Sequence, residues 1–259
     1  MNLNVRQWLK TIAARYGVGV TDSQRLAFLE AAAPAGPELM RLFIDGLGLA
    51  NEQTSQLGQE MVALMHSGVK RGGYFVEFGA TDGVSLSNTL MLEKRFGWTG
   101  ILAEPARCWH SSLAANRAVA IDTDCVWTTT GATLEFNMTD AGELSTIATF
   151  SDSDGHRQSR ANGDRYDVRT VSLNDLLARH NAPRYIDYLS IDTEGSEYSI
   201  LSGFDFTRHR FGLITCEHNY TPERDKIHSL LAAQGYERML TGLSKWDDWY
   251  FGDRTKTHE

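Results

Sequence analysis

The sequence is short of positive charge. Its 25 Lys and Arg face 33 Asp and Glu, a formal net charge of −8 over 259 residues. Nucleic-acid affinity rests largely on basic side chains neutralising phosphates, so no nucleic-acid partner is expected. Cysteine is scarce too. Cys108, Cys125 and Cys216 are odd in number, widely spaced and form no CxxC, which argues against a zinc knuckle or a disulfide framework. Reduced thiols are the plain reading. No apolar run is long enough to span a bilayer, and nothing near Met1 resembles an export signal. The expectation is a soluble, cytoplasmic protein without a transmembrane segment.

What is present suits a globular fold. A chain of this length can bury one large α/β core or a core plus a small appendage. From Val5 to about Lys70 the apolar residues recur at helical spacing, with Trp8, Leu9, Ile12 and Ala13 on one face. Residues 1–54 therefore read as a helical N-terminal cap, and 55–259 as the main domain. Periodicity does not choose between a lid and a homodimer contact for the cap.

Beyond Gly72 short apolar runs alternate with helical patterns. Tyr74 to Phe78, Ile101 to Glu104 and Val126-Trp127 read as the first three strands, and Thr133 to Phe136 as a small hairpin strand. A strand in "VRTVS" leads into a helix capped by Ser172, with Asp175 three residues on. "YIDYLSID", "FGLITCE", "YERMLTGL" and "DWYFG" supply the rest, the last two as an antiparallel hairpin. The polar stretch 151–167 reads as a mobile loop whose Arg157, Arg160 and Arg165 can either be solvated or close over a substrate. Such alternation predicts a doubly wound, Rossmann-like, mostly parallel seven-stranded sheet.

In such sheets ligands bind beyond the carboxyl ends of the strands, where strand order reverses. Glu77 closes the first strand, Gly79 follows it, and Gly83 falls where a helix is expected to start. Glu104 closes the second strand and can accept both hydroxyls of a ribose. A dinucleotide site would carry G-x-G-x-x-G, which is absent. Glu77 and Asp82 crowd the turn instead, and would repel a pyrophosphate but suit a cationic ligand. A glycine turn between strand and helix is also common without any ligand, and acids near a helix start stabilise its dipole.

"SIDTEGSEY" sets Asp192 at a strand end with Glu194 and Glu197 in the next turn, and "ITCEHNY" sets Glu217, His218 and Asn219 beside it. Such a set can hold a divalent metal or remove a proton from an alcohol. The plain alternatives are a helix cap for Asp192, first-turn acids for Glu194 and Glu197, and a structural histidine for His218. Trp246, Asp247, Asp248, Trp249 and Tyr250 join aromatic faces to carboxylates, a pattern for sugar recognition or for edge packing.

The strings "GGYFVEFGATDGVSLSNT", "GWTGILAEP", "YIDYLSIDTEGSEYSIL" and "CEHNYTPERDKI" strongly resemble the FkbM family of S-adenosylmethionine-dependent methyltransferases. That resemblance runs from Ser55 to "WDDWYFG" and implies the class I methyltransferase fold. It departs from the general methyltransferase glycine pattern at Thr81. It implies Glu77, Gly79, Ala80, Asp82, Gly83, Asn88, Glu104, Pro105 and Asp192 as contacts to S-adenosylmethionine. His218, Asp192 and Glu194 become the catalytic candidates, and Asp192, Glu217 and His218 the ligands of Mg²⁺ or another divalent metal. The implied acceptor is a small molecule or glycan with a free hydroxyl, since family members are mostly O-methyltransferases. N-methylation, nucleic-acid methylation and a catalytically silent cofactor-binding scaffold are the alternatives. "NYTP" at Asn219 to Pro222 lacks the paired prolines of an amino-methylating tetrad.

Overall fold

A computed structural model describes residues 53–140, 142–151 and 157–253. Nearly all of the helical cap expected over residues 1–54 lies outside the described residues. A helix α1 (Gln59–His66) leads into β1 (Tyr74–Phe78), α2 (Leu90–Phe96), β2 (Thr99–Ala103), α3 (His110–Asn116) and β3 (Ala120–Asp122). After β4 (Cys125–Trp127), β5 (Thr133–Met138), β6 (Thr146–Ile147) and a short α4 (Arg157–Arg160) come β7 (Asp164–Ser172) and α5 (Leu173–Arg179). The chain continues through β8 (Tyr185–Ile191), α6 (Glu197–Ser202), β9 (Arg210–Glu217) and α7 (Glu223–Ala233). It closes with β10 (Glu237–Met239), α8 (Thr241–Ser244) and β11 (Asp247–Phe251).

Seven strands form one sheet in the order β10-β11-β9-β8-β1-β2-β3. Pairings among β3, β2, β1, β8 and β9 are parallel, and only β11 runs against its neighbours. This is the doubly wound sheet with a C-terminal antiparallel hairpin that the sequence predicts. Consecutive residues of a strand point to opposite faces, and the core follows that rule. Phe75, Leu102, Tyr188, Leu213 and Trp249 join α1 and α2 in one buried cluster. Their neighbours Val76, Ile101, Leu189, Ile214 and Tyr250 join α5, α6 and α7 in another.

Two expectations change. Val126-Trp127 is not the third strand of the main sheet; Ala120–Asp122 takes that place, pairing Ile101 with Ala120 and Ala103 with Asp122. Val126-Trp127 belongs to a second sheet, β4-β7-β5-β6, in which β4 is parallel and β5 antiparallel to β7. Second, most of the stretch read as a mobile loop is ordered. Arg157 to Arg160 is helical, and Asp164 onward forms β7. Ser172 caps α5 as expected, its hydroxyl accepting from the Asp175 amide at 3.1 Å.

Candidate active site

Strand order reverses between β1 and β8, and a cavity of about 410 Å³ opens there. Gly79, just past β1, has a φ of +73°. A Cβ at that position would overlap the Asp192 carbonyl oxygen, so the two strand ends meet only because residue 79 is glycine. The helix does not start at Gly83. The chain forms a loop from Gly79 to Thr89, and α2 begins at Leu90.

Glu77 organises this loop from within. Its carboxylate accepts from the Asn88 amide at 2.6 Å and from the Ser87 and Thr89 hydroxyls, with Arg117 Nη1 3.8 Å away. Burial pushes the Glu77 carboxyl up, while Arg117 and the hydrogen bonds pull it back. Ser87 closes the helix start, accepting from the Thr89 and Leu90 amides at 3.2 Å each. The Asn88 side chain donates to Ser190 Oγ at 2.8 Å and borders the cavity.

Glu104 follows β2 with both oxygens oriented. Oε2 accepts from the Thr81 amide at 2.8 Å and Oε1 from the Ala106 amide at 2.7 Å. Burial outweighs those bonds and raises its carboxyl to about 7. Pro105 borders the cavity beside it. The apolar lining next to these residues comes from the second sheet: Cys125, Val126, Phe136 and Ile147.

The other end is acidic. Asp192, past β8, and Glu217, ending β9, interact directly. Burial first, then Asp247 and Glu197, raise Asp192 to about 7. Burial and Asp192 hold the Glu217 carboxyl well above the usual range. Carboxylate oxygens of Asp192, Glu194 and Glu217 lie within 4.8 Å of one another. Asp247 adds a further carboxyl, raised by burial to about 6 and receiving Gln59 Nε2 at 2.9 Å. Glu194 is also reached by Arg160 Nη2 at 2.7 Å.

The expected residues therefore divide. Glu77, Gly79, Asn88, Glu104, Pro105, Asp192, Glu194 and Glu217 line the cavity. Ala80, Asp82 and Gly83 do not. Asp82 folds back on its own loop, accepting from the Val84 and Ser85 amides at 2.8 and 2.7 Å. Gly83 packs against Leu113 and Arg117, which leave no room for a Cβ. Glu197 caps its own turn through the Thr193 and Gly195 amides at 3.0 Å each.

His218 is not brought to the carboxylates. Its Nδ1 accepts from the Tyr220 amide at 2.9 Å, and its Nε2 lies 3.8 Å from Asp248 Oδ1. Adjacent residues at a strand end point to opposite sides. With Glu217 in the cavity, His218 faces away, and Glu194 completes the carboxylate group in its place. That alternation is legible in "TCEHN" and is the signal that separates the two.

Residues not anticipated include Gln56, Gln59, Tyr220 and the second-sheet lining. Seven carboxyl side chains line the cavity: Glu77, Glu104, Glu143, Asp192, Glu194, Glu217 and Asp247. Among the described residues no Lys, Arg or His joins them.

The methyltransferase FkbM domain matches residues 77–238, more than half of the chain. The chain belongs to the FkbM methyltransferase family. Strand order, cavity position and family thus agree on a methyltransferase. No curated protein matches the chain. Among solved structures, precorrin-6y C5,15-methyltransferase from Geobacter metallireducens GS-15 is 11% identical, with a TM-score of 0.38. That match covers 69% of this chain and 71% of the other.

Proposed function

We propose that this FkbM protein is an S-adenosylmethionine-dependent O-methyltransferase. Its acceptor is a hydroxyl of a sugar, glycan, glycolipid or glycosylated natural product. The observation that carries the cofactor reading is the seven-carboxylate lining without a Lys, Arg or His among the described residues. Such a lining disfavours phosphates and favours a ligand with an ammonium and a sulfonium.

The residues present fit that cofactor. The two oxygens of Glu104, fixed by the Thr81 and Ala106 amides, would take the ribose hydroxyls. Cys125, Val126, Phe136 and Ile147 would cover the flat apolar base. Asn88 and the acids around Asp192 would face the amino-acid end. When bound, S-adenosylmethionine supplies a methyl group made electrophilic by its sulfonium.

The protein then has two tasks, alignment and proton removal. Alignment of the acceptor oxygen can contribute roughly 7–11 kcal/mol. In this reading Asp192 Oδ takes the hydroxyl proton, because a carboxyl raised to about 7 is a stronger base than an ordinary one and still ionises near neutrality. Glu217 shares that proton, and Glu194 shapes the field beside it. His218, turned away from the cavity, is assigned no proton transfer.

Asp192, Glu194 and Glu217 also form the oxygen-only set that Mg²⁺ or Ca²⁺ prefers. A divalent cation there would hold these carboxyls ionised as ligands and neutralise a developing alkoxide itself, in place of proton removal by Asp192. The test is transfer of labelled methyl to a pooled set of glycans and glycolipids, with the methylated atom located by mass spectrometry and NMR. The reading requires an O-methyl product; methyl found on nitrogen or carbon sinks it. Full activity after chelation removes the cation from the scheme.

A further inference from the structure

Four large apolar side chains stand exposed on the described surface: Val69, Val84, Leu86 and Tyr220. Scattered singly they would mean little, but two of them, Leu86 and Tyr220, border the cavity. They are also the most exposed of the four, at 46% and 68%. Leu86 lies on the loop after β1 and Tyr220 on the loop after β9, with β8 between those strands. Each is held in a left-handed conformation, φ +60° for Leu86 and +57° for Tyr220, as is Asn219 at +42°. Bulky residues adopt this conformation only at a cost, so the surrounding bonds must impose it.

His218 supplies those bonds on the Tyr220 side. Its amide donates to the Trp246 carbonyl at 2.9 Å, and the Asn219 amide to the same oxygen at 3.2 Å. Its Nδ1 receives the Tyr220 amide, and its ring packs edge-on to the Tyr220 ring at 5.2 Å. Trp246 itself borders the cavity. The histidine thus ties together two aromatic residues of the cavity wall without entering it.

We propose that Tyr220 is the platform on which the acceptor rests. It carries the C–H face of an uncharged or amino-bearing sugar ring, with Leu86 as a second apolar contact and His218 as a positioning residue. Acceptors bearing phosphate or carboxylate near the reacting hydroxyl are excluded. Among the described residues the lining offers a second anion no Lys, Arg or His, and its carboxyls repel one where they are ionised. The two guanidinium groups beside that lining are already engaged: Arg160 with Glu194 at 2.7 Å and the Leu144 carbonyl at 2.8 Å, Arg117 with Glu93 and Thr89 and 3.8 Å from Glu77. The inference rests on the cofactor reading above and specifies the acceptor class of the same site.

The test uses matched methyl glycosides: neutral, 2-amino, uronate and 6-phosphate, each supplied with labelled S-adenosylmethionine. Cofactor affinity is measured in parallel by calorimetry. Transfer is expected to the neutral and amino members alone. Tyr220→Ala should raise the acceptor KM roughly 10-fold, the scale of one aromatic contact, while cofactor affinity holds. Tyr220→Phe should recover most of that loss. His218→Ala should raise KM in the same way and leave the pH profile of kcat in place.

Transfer to the uronate or phosphate at a comparable rate overturns the proposal. So does an unchanged KM in Tyr220→Ala, loss of kcat in His218→Ala, or cofactor binding with no transfer to any glycoside. Failure to bind the cofactor at all strikes instead at the reading of the cavity. Tyr220 is largely exposed, so its variants do not put folding at risk.

Discussion

Arg160 and Glu194 are paired inside the protein: Nη2 lies 2.7 Å from Oε2, and both side chains are buried. The same guanidinium donates through Nε to the Leu144 carbonyl at 2.8 Å. One side chain on α4 therefore joins the cavity-lining loop at Leu144 to the turn after β8. Arg160→Ala takes a cation away from a buried carboxylate, a change that costs about 3–5 kcal/mol in comparable pairs. Urea unfolding should show that loss, and cofactor affinity should fall with it. An unaltered midpoint would mean that the pair holds nothing in place.

Gly79→Ala is expected to act more locally. A left-handed backbone costs a residue with a Cβ roughly 1–2 kcal/mol, and the added carbon meets the Asp192 carbonyl. The strand ends of β1 and β8 must then separate where the cofactor is proposed to lie. Calorimetry should find at least a tenfold weaker S-adenosylmethionine complex in a variant that still folds. Binding of wild-type strength would show that the close approach has no bearing on the site.

Much of this was legible in the sequence because it is written in local pattern. β1, its glycine and the acid after β2 appear at the expected offsets, and the C-terminal hairpin declares itself in "YERMLTGLSKWDDWYFG". The second sheet was harder. β4 has three residues and β6 two, too short for any alternation to register. β3, also three residues, is hidden in "AVAIDTD" for the same reason. Asp82 and Gly83 read as ligand contacts because a turn acid and a turn glycine look alike whether they serve a ligand or the loop. Arg160 reads as a solvated or substrate-facing side chain, and its burial against Glu194 leaves no local signal because the two are 34 residues apart.

Acid should move stability and affinity in opposite directions. Burial raises Glu104 to about 7 and Asp247 to about 6, so each holds its proton more tightly folded than unfolded. Folding then takes up protons between the unfolded and folded values, and stability falls as pH rises through that window. The ligand-free protein should therefore be more stable at pH 5.5 than at pH 8, by an amount on the order of a few kcal/mol at most, and melt at a higher temperature. Glu104→Gln should flatten the slope. Cofactor affinity should instead weaken below about pH 7, because the ionised Glu104 is the better acceptor for ribose hydroxyls. A melting temperature that rises with pH between those limits would contradict this account.

A carboxylate-lined cavity at the β1–β8 switch point is proposed to hold a cationic adenosine derivative. Calorimetric titration of the purified protein with S-adenosylmethionine, and separately with NAD, tests it most directly. The account predicts one S-adenosylmethionine site per chain, weakened at least tenfold by Glu104→Ala, and no heat from NAD. Saturable binding of NAD, or no binding of S-adenosylmethionine, would contradict it.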